Sequence, residues 1–98
     1  MLVLPWPHIY SVPVYSPSRT MAARIDEYNA SGFGRADSSV ELFTSHGLKS
    51  NVVYFGEWDS VGIDDLHWKS ESELEIFYKG PPCYCTSTRH VVVRCIHQ

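Results

Sequence analysis

The last nineteen residues, GPPCYCTSTRHVVVRCIHQ, hold all three cysteines of the chain, Cys83, Cys85 and Cys95, together with His90 and His97. Thiolates and imidazoles are the ligands zinc prefers, four around one point and commonly in Cys-x2–4-Cys pairs. Cys83-x-Cys85 is tighter than that spacing. If 90–96 is a strand, the five steps from His90 to Cys95 cover about 17 Å. Alternation then sets Val91, Val93, Cys95 and His97 on one face and His90, Val92, Arg94 and Ile96 on the other. One chain cannot gather these groups at one ion, so no metal site and no cofactor is expected; a site shared between two copies stays open as an alternative. Cys95 continues the Val91–Val93 stripe and reads as a small buried hydrophobe. The stretch 80–89 reads as a loop with Cys83 and Cys85 as exposed thiols, or, under oxidation, bonded to each other.

Other reactive groupings are sparse. GFGRAD at 32–37 lacks the spacing of a phosphate loop, and no nucleophile elbow is present. His67 or His46 could pair with a carboxylate of the acidic stretch 57–75, which defines a small hydrolase as the alternative reading. That stretch holds Glu57, Asp59, Asp64, Asp65, Glu71, Glu73 and Glu75 against Lys69, seven minus one, or six net negative charges. It reads as a solvated face or as a surface for a basic partner. DSVGIDD within it lacks the ligand pattern of a calcium loop.

The elements that would position these residues come from a chain of 98 residues, which is one domain with a modest core. A net charge of −3 argues against a nucleic-acid partner, which would need a basic face. Three cysteines cannot all pair within one chain, so a reducing, cytoplasmic setting is slightly favoured. Residues 1–14 read as a proline-rich extended arm ahead of a β domain at 15–98. Pro5, Pro7 and Pro13 interrupt the apolar start, which is neither a signal peptide nor a membrane span. The arm is expected to dock on its own domain or on a neighbouring copy.

From Asp37 onward the pattern is strand and turn. SSVELFTS (38–45), SNVVYFGEW (50–58), GIDDLHW (62–68), ELEIFYK (73–79) and RHVVVRCIH (89–97) are the expected strands. In ELEIFYK the alternation is clear, with Leu74, Ile76 and Tyr78 inward and Glu73, Glu75 and Lys79 outward. In SNVVYFGEW alternation sends Val52 and Tyr54 one way and Val53 and Phe55 the other, so both faces are apolar. The segment 16–34 is ambiguous. Met21, Ile25 and Tyr28 suit a helix at about 19–29, whereas Met21, Ala23 and Ile25 suit a strand.

Tyr15-Ser16-Pro17 with Ala23 and Ile25, then Asp37, Ser38, Val40 and Leu42, then Trp68, Leu74, Ile76 and Tyr78 resemble a recurring set of motifs. The first is similar to the Y-S-P-D-G-K opening of strands in TolB-type propeller blades. The whole set resembles a group of small uncharacterised bacterial β-rich proteins. The Asp-Gly of that opening is Ser18-Arg19 here. The resemblance implies a strand at 20–28 and no assigned activity, and short bacterial chains of this kind suggest an origin in a mobile gene cassette (an integron cassette).

The expected fold is therefore all-β, an antiparallel meander of about 6–7 strands forming a small sandwich or open barrel, with α+β as the alternative if 19–29 is helical. The expected function is a non-catalytic interaction or ligand-binding module that self-associates as a homodimer or higher oligomer. Val53, Phe55, Val92, Arg94 and Ile96 are the candidate contact residues, because a small domain covers one face of a sheet more readily than two. Tyr54, Trp58, Trp68 and Tyr78 are the candidate walls of a ligand cleft.

Overall fold

The computed structural model describes residues 8–30, 35–44, 50–57 and 60–98. Among them are nine strands: β1 His8–Tyr10, β2 Val14–Tyr15, β3 Met21–Ala30, β4 Arg35–Thr44, β5 Ser50–Glu57, β6 Leu66–Ser70, β7 Glu73–Tyr78, β8 Pro82–Cys85 and β9 Val92–His97. A single 3₁₀ turn, Ile63–Asp65, precedes β6, and the described residues contain no α-helix. No helix among them is long and apolar enough to cross a membrane. The fold is all-β, as expected.

The strands form two sheets. The larger runs β1-β3-β4-β5-β8, with β2 also on β3, and the smaller runs β6-β7-β9. The meander expectation needs one amendment, because β7 and β9 are parallel. The chain leaves β7 to build β8 in the larger sheet before it returns as β9, so a simple hairpin return is impossible.

β3 is a strand although Ala22-Ala23-Arg24 has good helix propensity. It is paired along all ten residues with β4 and on its other side with β1 and β2. Ala22 and Ala23 are both fully buried, and a long two-sided ladder outweighs local preference there. The proline-rich arm joins the same ladder from His8 onward. Pro13 has no N–H to give, so the edge strand breaks into β1 and β2. Ser11 bridges the gap: its N–H donates to the Ile25 carbonyl at 2.9 Å, and its hydroxyl accepts from the Ile25 N–H at 2.9 Å.

Between β2 and β3 the Ser18-Arg19 turn closes without a glycine. Arg19 takes φ +64° itself, its N–H donates to the Ser16 carbonyl at 2.8 Å, and its guanidinium carbon lies 4.1 Å from the Tyr15 ring centroid.

Alternation fails in β5 for a definite reason. Val40 faces Tyr54 but Glu41 faces Val52, so Val53 is an extra residue opposite the step from Val40 to Glu41. Such a bulge turns two consecutive side chains to the same side. Val53 and Tyr54 are accordingly both 0% exposed and join Ile25, Val40, Leu42, Leu74, Ile76 and Val93 in one apolar layer between the sheets. Each large aliphatic group buried there contributes about 2 kcal/mol by transfer from water. The Tyr54 hydroxyl reaches Ser60 Oγ at 2.8 Å, so the buried phenol is satisfied. Its ring crosses over Gly56, where a Cβ would lie 2.2 Å from the hydroxyl oxygen.

The C-terminal expectations change most. The stretch read as a loop contains β8, paired with β5. Cys95 is not a free buried thiol: it bonds to Cys85, with Cα atoms 6.4 Å apart. Cys85 is therefore neither an exposed thiol nor bonded to Cys83. The bond joins an edge strand of the larger sheet to an edge strand of the smaller one, and a structural disulfide removes the composition argument for a reducing compartment. GIDDLHW is likewise not one strand. Asp65 N–H donates to the Gly62 carbonyl and Asp65 Oδ2 accepts from the Gly62 N–H, which winds 63–65 into the 3₁₀ turn.

Gly56→Ala is expected to lower unfolding stability by about 1–3 kcal/mol, because the added methyl displaces the Tyr54 ring from a filled core. Urea denaturation followed by tyrosine and tryptophan fluorescence measures it, and an unchanged midpoint contradicts the packing described. Cys95→Ser, or reduction, is expected to cost about 2–3 kcal/mol, from the short loop that the bond closes. Melting with and without reductant reads that loss, which should be absent in the Cys95→Ser variant.

Candidate functional site

The predicted ligand cleft does not assemble. Tyr54 and Tyr78 are buried, and their rings meet at 5.8 Å inside the core. Trp68 is half-buried and donates from Nε1 to the Val14 carbonyl at 2.9 Å, which ties β6 to the arm. Trp58 lies outside the described residues. Tyr54 and Tyr78 fill the layer between the sheets because the bulge turned Tyr54 inward and the alternation of β7 did the same for Tyr78.

The predicted contact residues are divided among three places. Val53 is in the core, which overturns its assignment to a contact surface. Phe55 is half-buried on the outer face of the larger sheet, across from Tyr84 and Ser39. Val92, Arg94 and Ile96 lie on the outer face of the smaller sheet, opposite Glu73, Glu75 and Phe77 in register. Val92 is exposed, and Arg94 pairs with Glu73 at 3.3 Å.

His67 shares that small outer face. It is exposed, sits opposite Glu75, and meets the edge of the Phe77 ring at 5.3 Å between centroids. Its described contact is thus apolar. His46 lies outside the described residues. Residues of the acidic stretch serve separate local contacts: Asp65 in its turn and to Gln98, Glu73 to Arg94, and Glu71 across the sheets.

The outer face of the larger sheet gathers the groups that alternation alone left scattered. Pairing aligns Tyr10, Asp26, Ser39, Phe55 and Tyr84 in one row across the strands, Arg24, Glu41 and Val52 in the next, and Tyr15, Ala22 and Phe43 in a third. Tyr10, Tyr15, Val52 and Tyr84 are 50%, 38%, 43% and 49% exposed. Arg24 is the centre of this face. Its guanidinium carbon lies 4.3 Å from the Tyr10 ring centroid and 5.3 Å from that of Phe43, and Nη2 meets Glu41 at 3.2 Å. Its Nε is buried without a hydrogen-bond partner among the described residues, so the flanking rings supply the compensating contact. Arg19 and Arg24 lie toward the end where β3 starts, and Asp37 and Glu57, opposite each other in register, lie at the other.

At the Arg19 end the turn of the arm meets the β6–β7 turn. A Glu71 carboxylate oxygen accepts from the Ser18 N–H, and the other accepts from the Thr20 hydroxyl at 3.1 Å. The Ser18 hydroxyl does most to hold the Glu71 carboxyl below its ordinary value; partial loss of hydration opposes it, and the Ser18 N–H and the Ser16 and Thr20 hydroxyls add to the lowering. This contact and the disulfide tie the two sheets together at separate places.

No family model, curated protein or solved structure matches this chain.

Because its folded-state acidity is raised, ionised Glu71 adds stability at any pH above the ordinary glutamate range. That contribution disappears as pH falls through the lowered folded value. Glu71→Gln is therefore expected to be less stable than the parent at pH 7 and equal to it in strong acid. Thermal melts of both chains across this range check the convergence; a stability difference that does not vary with pH contradicts the contact.

Proposed function

We propose that this chain is a non-catalytic binding module that self-associates through the outer face of its larger sheet. The observation that carries the reading is the cluster of exposed Tyr10, Tyr15, Val52 and Tyr84 around half-buried Phe43 and Phe55, with Arg24 stacked at its centre. Tyrosine, phenylalanine and arginine are the residues enriched where proteins meet.

Size and charge favour a second copy as the occupant. Strands about 4.8 Å apart, about 33 Å long in the middle and about 13 Å at the β8 edge, present a face of roughly 600 Å², within reach of the ~800 Å² that each partner gives to a standard interface. A two-fold axis lying between two stacked faces and across the strands sets the Arg19–Arg24 end of one copy over the Asp37–Glu57 end of the other. Opposite charges then meet twice around an aromatic centre, as an isologous contact requires.

Sedimentation velocity at roughly tens of micromolar, the range of modest dimer affinity, is expected to show a dimer. Val52→Lys should convert it to a monomer with little change in melting temperature, since Val52 is exposed in one chain. A parent chain that stays monomeric, or a Val52→Lys chain that stays dimeric, overturns this surface.

A further inference from the structure

A groove of about 610 Å³ opens where the Thr44 end of the larger sheet meets the segment leading from β8 to β9. Phe43, Val52 and Tyr84, which share the outer face of the sheet, give it a floor of aromatic and aliphatic side chains, and Thr86, Ser87, Thr88, Arg89 and His90 form a second part of its lining. Its volume falls within the ordinary range of small-molecule sites. None of the described residues lining it is Asp or Glu, although the chain has eleven acids against eight lysines and arginines.

This second part is a built turn. The Thr88 hydroxyl oxygen accepts from the N–H groups of His90 at 3.3 Å and Val91 at 3.0 Å, and Thr88 N–H donates to the Val91 carbonyl at 2.9 Å. Ser87 Oγ accepts from the Val93 N–H, and Thr86 N–H donates to the Val53 carbonyl, both at 2.9 Å. The Cys85–Cys95 bond brackets the whole segment. Arg89 is held at this turn, exposed. Arg24 and Arg94 each have a carboxylate partner, whereas Arg89 makes no ion pair among the described residues.

We infer that this groove is a binding site for a small amphipathic organic anion, with a flat apolar body on the floor and a carboxylate-like group at Arg89. A guanidinium offers paired N–H donors that match a planar anion in bidentate fashion, and the threonine and serine hydroxyls beside it suit the same charge. An apolar floor with a few convergent polar groups at one end is the common form of such sites. Phe43, Val52 and Tyr84 line the groove and also belong to the outer face proposed for self-association, whereas Arg89 and His90 belong to the 86–90 segment alone.

The test uses two probes of nearly the same ring system, the anionic 1-anilinonaphthalene-8-sulfonate and the neutral N-phenyl-1-naphthylamine, titrated by fluorescence into the folded full chain. The sulfonate is expected to saturate at one per chain, at least about tenfold more tightly than the neutral probe, the usual effect of one charge-assisted hydrogen-bonded contact. Arg89→Gln should weaken the sulfonate by about tenfold and leave the neutral probe unchanged, while Arg89→Lys should retain part of the preference. Equal affinity for the two probes, a signal that does not saturate, or indifference to Arg89→Gln overturns the site. Dye held by the open aromatic face would give that last result. The oligomeric state is read without dye, so failure of one proposal is seen separately from failure of the other.

Discussion

Tyr54 is the side chain on which the two sheets are set. Its inward direction is a product of the β5 bulge, its ring occupies the space left by the missing side chain of Gly56, its hydroxyl is capped by Ser60, and its ring meets that of Tyr78 of the smaller sheet at a tilt. A phenol fully removed from water must find both an apolar bed and a polar partner; the bed here comes from both sheets, and the partner, Ser60, lies six residues along the chain. The same bulge determines the surface. By absorbing Val53 into the core it leaves Val52 and Phe55 on the outer face, beside Glu41 and Tyr84, and so produces the aromatic cluster there.

Among the described residues, three contacts of different kinds bind the smaller sheet to the larger one beyond that shared apolar layer. Trp68 to Val14, Glu71 to the Ser18–Thr20 turn, and the Cys85–Cys95 bond each join a strand or turn of one sheet to the other. They differ in physical type, being a neutral hydrogen bond, a charged one and a covalent bond. They therefore respond to different conditions, the second to acid and the third to reductant. The segment 86–90 lies inside the covalent link, which keeps Arg89 at a fixed place beside the end of the larger sheet.

Much of the fold was readable wherever one face of a strand is apolar and the other polar. ELEIFYK states its own orientation, and the Val91–Val93 stripe placed Cys95 on the inner side of β9. The aromatic cleft was misread for the complementary reason. Tyr54 lies in a run, Val52–Phe55, that is apolar at every position, and period-two alternation cannot register a bulge whose signal is the pairing with β4. The outer aromatic face was hidden because its members, Tyr10, Tyr15, Phe43, Phe55 and Tyr84, come from five different strands whose order only the pairing reveals.

The sequence by itself determined that this chain is β-rich and that β7 has one inner face. Both follow from residue spacing, which is local. The tertiary structure decided that Cys95 bonds Cys85, that β8 joins the larger sheet, that Val53 is inside, and that Arg89 stands over an apolar groove without an ion-pair partner among the described residues. Each depends on which strands come together, a matter of packing between residues far apart in the chain.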